Sequence, residues 1–201
     1  MLAETASEMW TDAILLPFVK ASYRKAARAL RPTGMGIFIK ESSAISVTTG
    51  VSALSRSGGG ATYPSDLVRP LRLRERKATT GTYTDMSNSD GFLPTSDPTK
   101  KLLEAWDWRN DQIVFPAALE DKEVIIQYEA ELAALSGTSS VILIPDALDP
   151  LAKMVASMGA RSRDEVTHAQ ELWAQAVEDL AQIAQAEERV KKARGAPWGK
   201  K

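Results

Sequence analysis

Ser162-Arg163-Asp164-Glu165-Val166-Thr167-His168-Ala169-Gln170-Glu171-Leu172-Trp173, continuing without a break in pattern to Arg194, is the stretch from which the rest of the chain is read. Ser162 to Glu165 has the form of a capping box, with the serine hydroxyl accepting from the Glu165 amide and the glutamate reaching back. From there Val166, Ala169, Trp173, Ala176, Leu180, Ile183 and Val190 fall on one helical stripe, widened by Leu172, Val177 and Ala184. Glu171, Gln175, Glu178, Gln182, Gln185 and Glu188 occupy the opposite side. Acidic residues crowd the first turn and Arg189, Lys191, Lys192 and Arg194 the last, as the helix dipole favours, and Gly195 with Pro197 closes the helix. A long helix running into the tail 193–201 suits a protein that reaches for a neighbour.

The preceding run, Pro145 to Gly159, reads as a shorter helix with Leu148, Leu151, Ala152, Val155 and Ala156 inward. Near the other end, Glu8 to Leu30 is a third helix, with Ile14, Leu15, Phe18, Val19, Tyr23, Ala26 and Leu30 on its stripe. Pro17 either kinks it or opens its main part, and Pro32 with Gly34 ends it.

Between these helices the pattern turns β. Gly36 to Lys40 and Ala44 to Thr48 read as a hairpin about Glu41-Ser42-Ser43. Residues 54–61, with three consecutive glycines, read as a flexible loop, and Leu67 to Lys77 as a strand with Leu71 and Leu73 on one side and Arg72, Arg74 and Arg76 on the other. Residues 78–100 hold little to pack and read as a projecting loop. Leu102 to Arg109, the tight-turn pair Asn110-Asp111, Gln112 to Phe115 and Glu123 to Glu129 then form a three-stranded antiparallel meander. The expected fold is α+β, a single domain over 1–201 in which one N-terminal and two C-terminal helices pack with a small antiparallel sheet and long projecting loops.

At 201 residues and 44% hydrophobic, the chain can bury one proper core. Its 25 basic residues against 26 acidic leave no whole-molecule field to draw it to nucleic acid or to an anionic membrane. With no cysteine, disulfide and thiol chemistry are excluded. No apolar run is long enough to span a bilayer, and the first residues lack the pattern of a signal peptide, so the chain reads as soluble and unexported.

Candidate chemistry is sparse. His168 is the sole histidine, with no serine elbow or cysteine beside it, and reads as a surface or interface residue. A metal site would have to be all-carboxylate, from Asp107 with Asp111 or Asp146 with Asp149, positions that also suit plain turn capping. Gly195 to Lys200 has the wrong spacing for a phosphate loop, and Gly34-Met35-Gly36 leads into a strand and not a helix. Two contact surfaces remain. Arg72, Arg74 and Arg76 form either a phosphate-facing edge or a solvated strand face. Trp198 stands beyond any helix, where a large aromatic side chain fits a docking anchor better than a local core.

Several stretches, Trp10-Thr11-Asp12-Ala13-Ile14-Leu15-Leu16-Pro17-Phe18-Val19 with Ala21-Ser22-Tyr23-Arg24, Tyr63-Pro64-Ser65-Asp66-Leu67-Val68-Arg69-Pro70, Trp106-Asp107-Trp108-Arg109 with Gln112-Ile113-Val114-Phe115, and Ile144-Pro145-Asp146-Ala147-Leu148, span most of the chain. In these it resembles the head-to-tail adaptor proteins of tailed bacteriophages, which form a ring beneath the portal. The resemblance implies a virion neck protein assembled in the host cytoplasm, not an enzyme, and free of cofactors. It implies a homo-oligomeric ring, a dodecamer, bound to the portal protein and to a tail or stopper protein. DNA would pass through its lumen without sequence-specific binding, and no membrane is involved. The tail, with Arg194, Pro197, Trp198, Lys200 and Lys201, would dock on the portal, while Trp173, Leu180 and Ile183 would pack helices or subunits. The alternatives from other classes are a nucleic-acid-binding module using Arg72, Arg74 and Arg76, and a hydrolase with a carboxylate-bound metal.

Overall fold

The computed structural model describes residues 11–57, 61–89, 91, 93 and 101–195, without the side chains of 191–195. The chain divides into two compact units, Phe38–Glu131 and the flanking Met1–Ile37 with Leu132–Lys201. The central unit holds eight strands: β1 (Ile39–Glu41), β2 (Ile45–Val47), β3 (Ala53–Ser55), β4 (Leu67–Lys77), β5 (Thr84–Asn88), β6 (Ala105–Arg109), β7 (Gln112–Val114) and β8 (Lys122–Ala130). The flanking unit holds helices α1 (Asp12–Leu30), α2 (Leu148–Ser162) and α3 (Val166–Gly195).

The small antiparallel sheet expected from the sequence is instead a mixed eight-stranded one, ordered β1-β8-β4-β5-β6-β7-β3 with β2 also on β8. Its backbone is β8, whose even-numbered residues Val124, Ile126, Tyr128 and Ala130 face a core with Leu54, Leu67, Leu73, Met86, Trp106, Ile113 and Phe115. Along one edge of β8 runs β4, two residues longer, and two bulges, between Leu67 and Arg69 and between Pro70 and Arg72, absorb the difference. They also reset the alternation. Leu67, Pro70, Leu73 and Glu75 point inward, so Leu71 is 38% exposed and does not share the face of Leu73.

Along the other edge of β8 lie β1 and β2 in succession, and no hairpin forms between them. The register slips by one residue, from Glu41↔Gln127 to Ile45↔Val124. At the slip the Ser42 amide donates to the Ile126 carbonyl at 2.9 Å and the Ser42 hydroxyl accepts from the Ile126 amide at 3.0 Å. The serines that resemble turn residues are therefore a bulge within one edge strand.

The expected meander fails at its third strand. β6 and β7 do form a hairpin about Asn110 (φ 49°) and Asp111 (φ 58°), the left-handed pair that a two-residue turn requires. But β7 pairs next with β3, and the Phe115 and Ala118 amides extend that pairing by donating to the Ser52 and Val51 carbonyls, each at 2.9 Å. Leu54 and Ser55, taken from the sequence as the edge of a glycine loop, are thus strand residues, with Leu54 fully buried.

Within 78–100, Thr84–Asn88 is a strand as well, antiparallel to β4 through Leu73↔Met86 and parallel to β6 through Ser87↔Ala105. Parallel neighbours need a crossover of a dozen or more residues, which accounts for the long polar stretch between Asn88 and Ala105. Glu75, 1% exposed, fixes the start of β6: its two carboxylate oxygens accept from the Leu103 and Glu104 amides, each at 2.8 Å. Nothing apolar could do this.

In the helical unit, α1 runs unbroken through Pro17 and buries Ser22, Tyr23, Ala26, Ala27 and Leu30. It ends in a short 3-10 turn at Arg31–Thr33 with Gly34 left-handed (φ 62°). The inner face of α2 is Pro150, Leu151, Met154, Ser157 and Ala160, rotated from the expected face, so that Leu148 is exposed. Small residues let α2 approach α3, and the Ser157 hydroxyl donates to the Ala169 carbonyl at 2.6 Å.

The capping box does not form, because Ser162 belongs to the end of α2 and its hydroxyl donates to the Gly159 carbonyl at 2.7 Å. The Asp164 amide donates to Arg161 O and the Glu165 amide to Ala160 O, with Asp164 at φ 60°. That pattern is a Schellman stop with aspartate where glycine is usual.

Two substitutions test this account by urea denaturation. Asp164→Gly removes a left-handed side chain and should stabilise the protein by about 0.5–1 kcal/mol; a loss of stability would contradict the assigned stop. Glu75→Leu leaves two amides near the core without acceptors and should cost about 2–4 kcal/mol; an unchanged midpoint would show that the clamp contributes nothing.

Candidate functional site

The outward face of β4 carries Arg72, Arg74 and Arg76, which the sequence offers as a contact site, with Arg69 beside them, and each of the four meets a carboxylate from another strand of the sheet. Arg69 lies 2.9 Å from Glu129, Arg74 2.6 Å from Glu41, and Arg76 Nε 2.8 Å from Glu123. Arg72 grips Asp85 with two nitrogens, Nε at 2.9 Å. Arg76 also lies over the Tyr83 ring, 4.6 Å from its centroid. The Arg72 hydrogen bond holds Asp85 below the usual carboxylate range, and the Arg76 hydrogen bond does the same for Glu123. Strand pairing therefore produces alternating opposite charges rather than a basic strip, and a phosphate backbone would have to displace the carboxylates already seated there.

Beside this ladder the Tyr128 hydroxyl donates to Asp66 at 3.0 Å and Lys40 lies 2.7 Å from the same carboxylate. Burial, then the hydrogen bond to Asp66, pushes the Tyr128 phenol up to about 12. Burial alone would raise Asp66, but its bonds from Lys40 and Tyr128 outweigh this and lower it. A phenol whose folded value lies above its unfolded value of about 10 stabilises the fold below that pH and ceases to do so as pH rises towards 12. Between pH 10 and 12 the wild type should thus lose stability more steeply than Tyr128→Phe, as read by urea midpoints; parallel pH profiles would contradict the Tyr128–Asp66 bond.

Of the candidate metal carboxylates, Asp111 and Asp146 sit in turns, Asp107 lies in β6 and Asp149 in the first turn of α2. Asp107 accepts from the Trp108 amide at 2.8 Å and pairs with Arg109, while Asp111 lies 3.4 Å from Arg56. Asp146 is left-handed (φ 54°) before α2, and Asp149 lies 3.2 Å from Lys153. Among the described residues no group of three or more His, Asp or Glu is placed to hold a metal ion. His168 is exposed, its Nδ1 3.9 Å from Glu171. No helix among the described residues is long and apolar enough to cross a membrane.

The packing residues expected on α3 fall in the helical unit as follows. Leu180 is buried, Trp173 and Ile183 are half-buried, and Val166, Val177 and Val190 of the same expected stripe are exposed. Lys25 of α1 lies over the Trp173 ring at 4.7 Å, and with Ser157, Met158 and Arg161 these two line a groove of about 220 Å³. A second groove, of about 270 Å³, lies between the start of α1 (Leu15, Leu16, Val19) and Leu135 and Ile142. Arg194 lies in α3, its side chain outside the described set, and Pro197, Trp198, Lys200 and Lys201 lie outside the described residues. The sequence reading missed Glu75 and Lys25. The signal for Glu75 was its inward parity with Leu73; for Lys25 it was a run, Ala13 to Lys40, that contains no carboxylate.

No curated protein matches the chain in sequence. The family comparison does match, with the SU10 adaptor protein family aligning over residues 2–198. The resemblance to phage head-to-tail adaptors carried by the Trp10–Arg24, Tyr63–Pro70, Trp106–Phe115 and Ile144–Leu148 stretches agrees with that match, and the chain belongs to the SU10 adaptor protein family.

Proposed function

We propose that this protein is a structural subunit of the virion neck, forming a twelve-fold ring beneath the portal that continues the DNA channel towards the tail. It makes no covalent chemistry and takes no cofactor. DNA passes through the lumen without base-specific contact, and a tail or stopper protein binds the far side. Assembly takes place in the host cytoplasm before the neck is completed.

Beyond family membership, one observation carries this reading. The 30-residue α3 is twice the length of its packing partner, the 15-residue α2, so its last turns, with Glu188, Arg189 and Val190 exposed, run on past the helix that covers its first half. A helix that outruns its packing partner has no reason to persist for the subunit's own sake; it serves as a stalk for the segment at its end. That segment is 193–201, in which Trp198 would anchor in an apolar pocket of the portal and Arg194, Lys200 and Lys201 would meet acidic portal surface, with Pro197 stiffening the approach. Neither rival has comparable support: the arginines of β4 are already paired, and of the candidate metal carboxylates Asp107, Asp111 and Asp149 are paired with Arg109, Arg56 and Lys153.

Deleting Gly195–Lys201 should leave the thermal transition unchanged while abolishing co-sedimentation with the portal of the same phage. Undiminished capture by the portal would overturn the docking role of the tail.

A further inference from the structure

Charge in the helical unit is sorted by helix, in contrast to the neutralised sheet. From Ala13 to Ile37 the chain carries Lys20, Arg24, Lys25, Arg28 and Arg31 and no acidic residue; from Asp164 to Glu188 it carries seven carboxylates and no lysine or arginine. Arg24, Lys25 and Arg28 are exposed on α1, and none has an ion-pair partner among the described residues. Lys25 has only the Trp173 ring beneath it, and Arg161, also without a carboxylate among the described residues, lines the same 220 Å³ groove. On α3, Asp179 is taken by Lys153 at 2.6 Å. Among the described residues Glu178 is exposed and unpaired, and Glu171 has no neighbour of opposite charge except His168 at 3.9 Å.

We infer that the basic face of α1 is one side of a subunit–subunit contact, and that its occupant is the Glu171–Glu178 face of α3 in a second copy of this chain. This rests on the ring reading above. Two arguments favour a second copy over DNA. The face is short, since Arg24 and Arg28 stand one helical turn, about 6 Å, apart, and two or three cations neutralise few phosphates. The complementary surface is also carried by the same chain: Gln175 lies between Glu171 and Glu178, so one α3 face presents acceptors at a spacing of four and three residues, which Arg24 and Arg28 can meet with forked guanidinium bonds. A contact that joins two different patches is heterologous, the kind that closes into rings. The 220 Å³ groove beside Lys25 gives that contact a recessed edge where a partner side chain can stack against Trp173.

The test is a charge exchange read by native mass spectrometry at low salt, with a thermal melt to verify folding of each variant. The wild type should form a closed oligomer that dissociates as salt is raised. Arg24→Glu with Arg28→Glu should shift folded protein to monomer by at least tenfold, as should Glu171→Lys with Glu178→Lys, and combining all four changes should restore the oligomer. Either double variant assembling like the wild type would overturn the contact while leaving the ring intact. A wild type that stays monomeric alone yet is captured by the portal would overturn it while leaving the neck role standing. Loss of duplex-DNA binding by the arginine variant with assembly unchanged would assign the face to nucleic acid instead.

Discussion

Everything in the central unit is referred to β8. Nine residues long, it is hydrogen-bonded to β4 along one edge and to β1 and β2 along the other, and its inward side chains form the floor of the core. A strand paired on both edges cannot shift register without moving its whole apolar set to the wrong face. The mismatch with its neighbours is therefore absorbed in bulges, two in β4 and one at Ser42. Those bulges decide which side chains face out. They turn Leu71 away from the core and leave Arg69, Arg72, Arg74 and Arg76 facing outward, within ion-pair distance of Glu129, Asp85, Glu41 and Glu123 respectively.

Legibility followed locality. The span of β4, the turn at Asn110-Asp111, the apolar alternation of β8 and the three helices rest on patterns within a dozen residues, and these could be read directly. Partner choice could not. Nothing near Gln112 says that β7 will pair with β3 rather than β8, and only Met86 marks β5 as a strand, because its other side chains are exposed and polar. Ser162-Arg163-Asp164-Glu165 matches a helix start in composition, yet the chain uses it as a helix stop, since aspartate can hold the left-handed position that usually belongs to glycine. Of the candidate site, the arginines of β4 were found but not their partners, which come from three other strands.

The two units handle charge differently, and this bears on function. In the sheet, cross-strand pairing leaves the arginine face neutral, as befits a scaffold. In the helices, cations collect on α1 and carboxylates on α3 with few internal pairs, and α3 continues beyond the helix that covers it. Unspent charge and an overlong helix are inefficient in a lone subunit and useful in an assembled one. That agrees with membership of an adaptor family.

Hydrogen–deuterium exchange, comparing the free subunit with the assembled neck, tests this division of labour most directly. The account predicts new protection along α1 and α3, with exchange in β4 and β8 unchanged. Protection gained across the β4 arginine face, with both helices exchanging as in the free subunit, would contradict it.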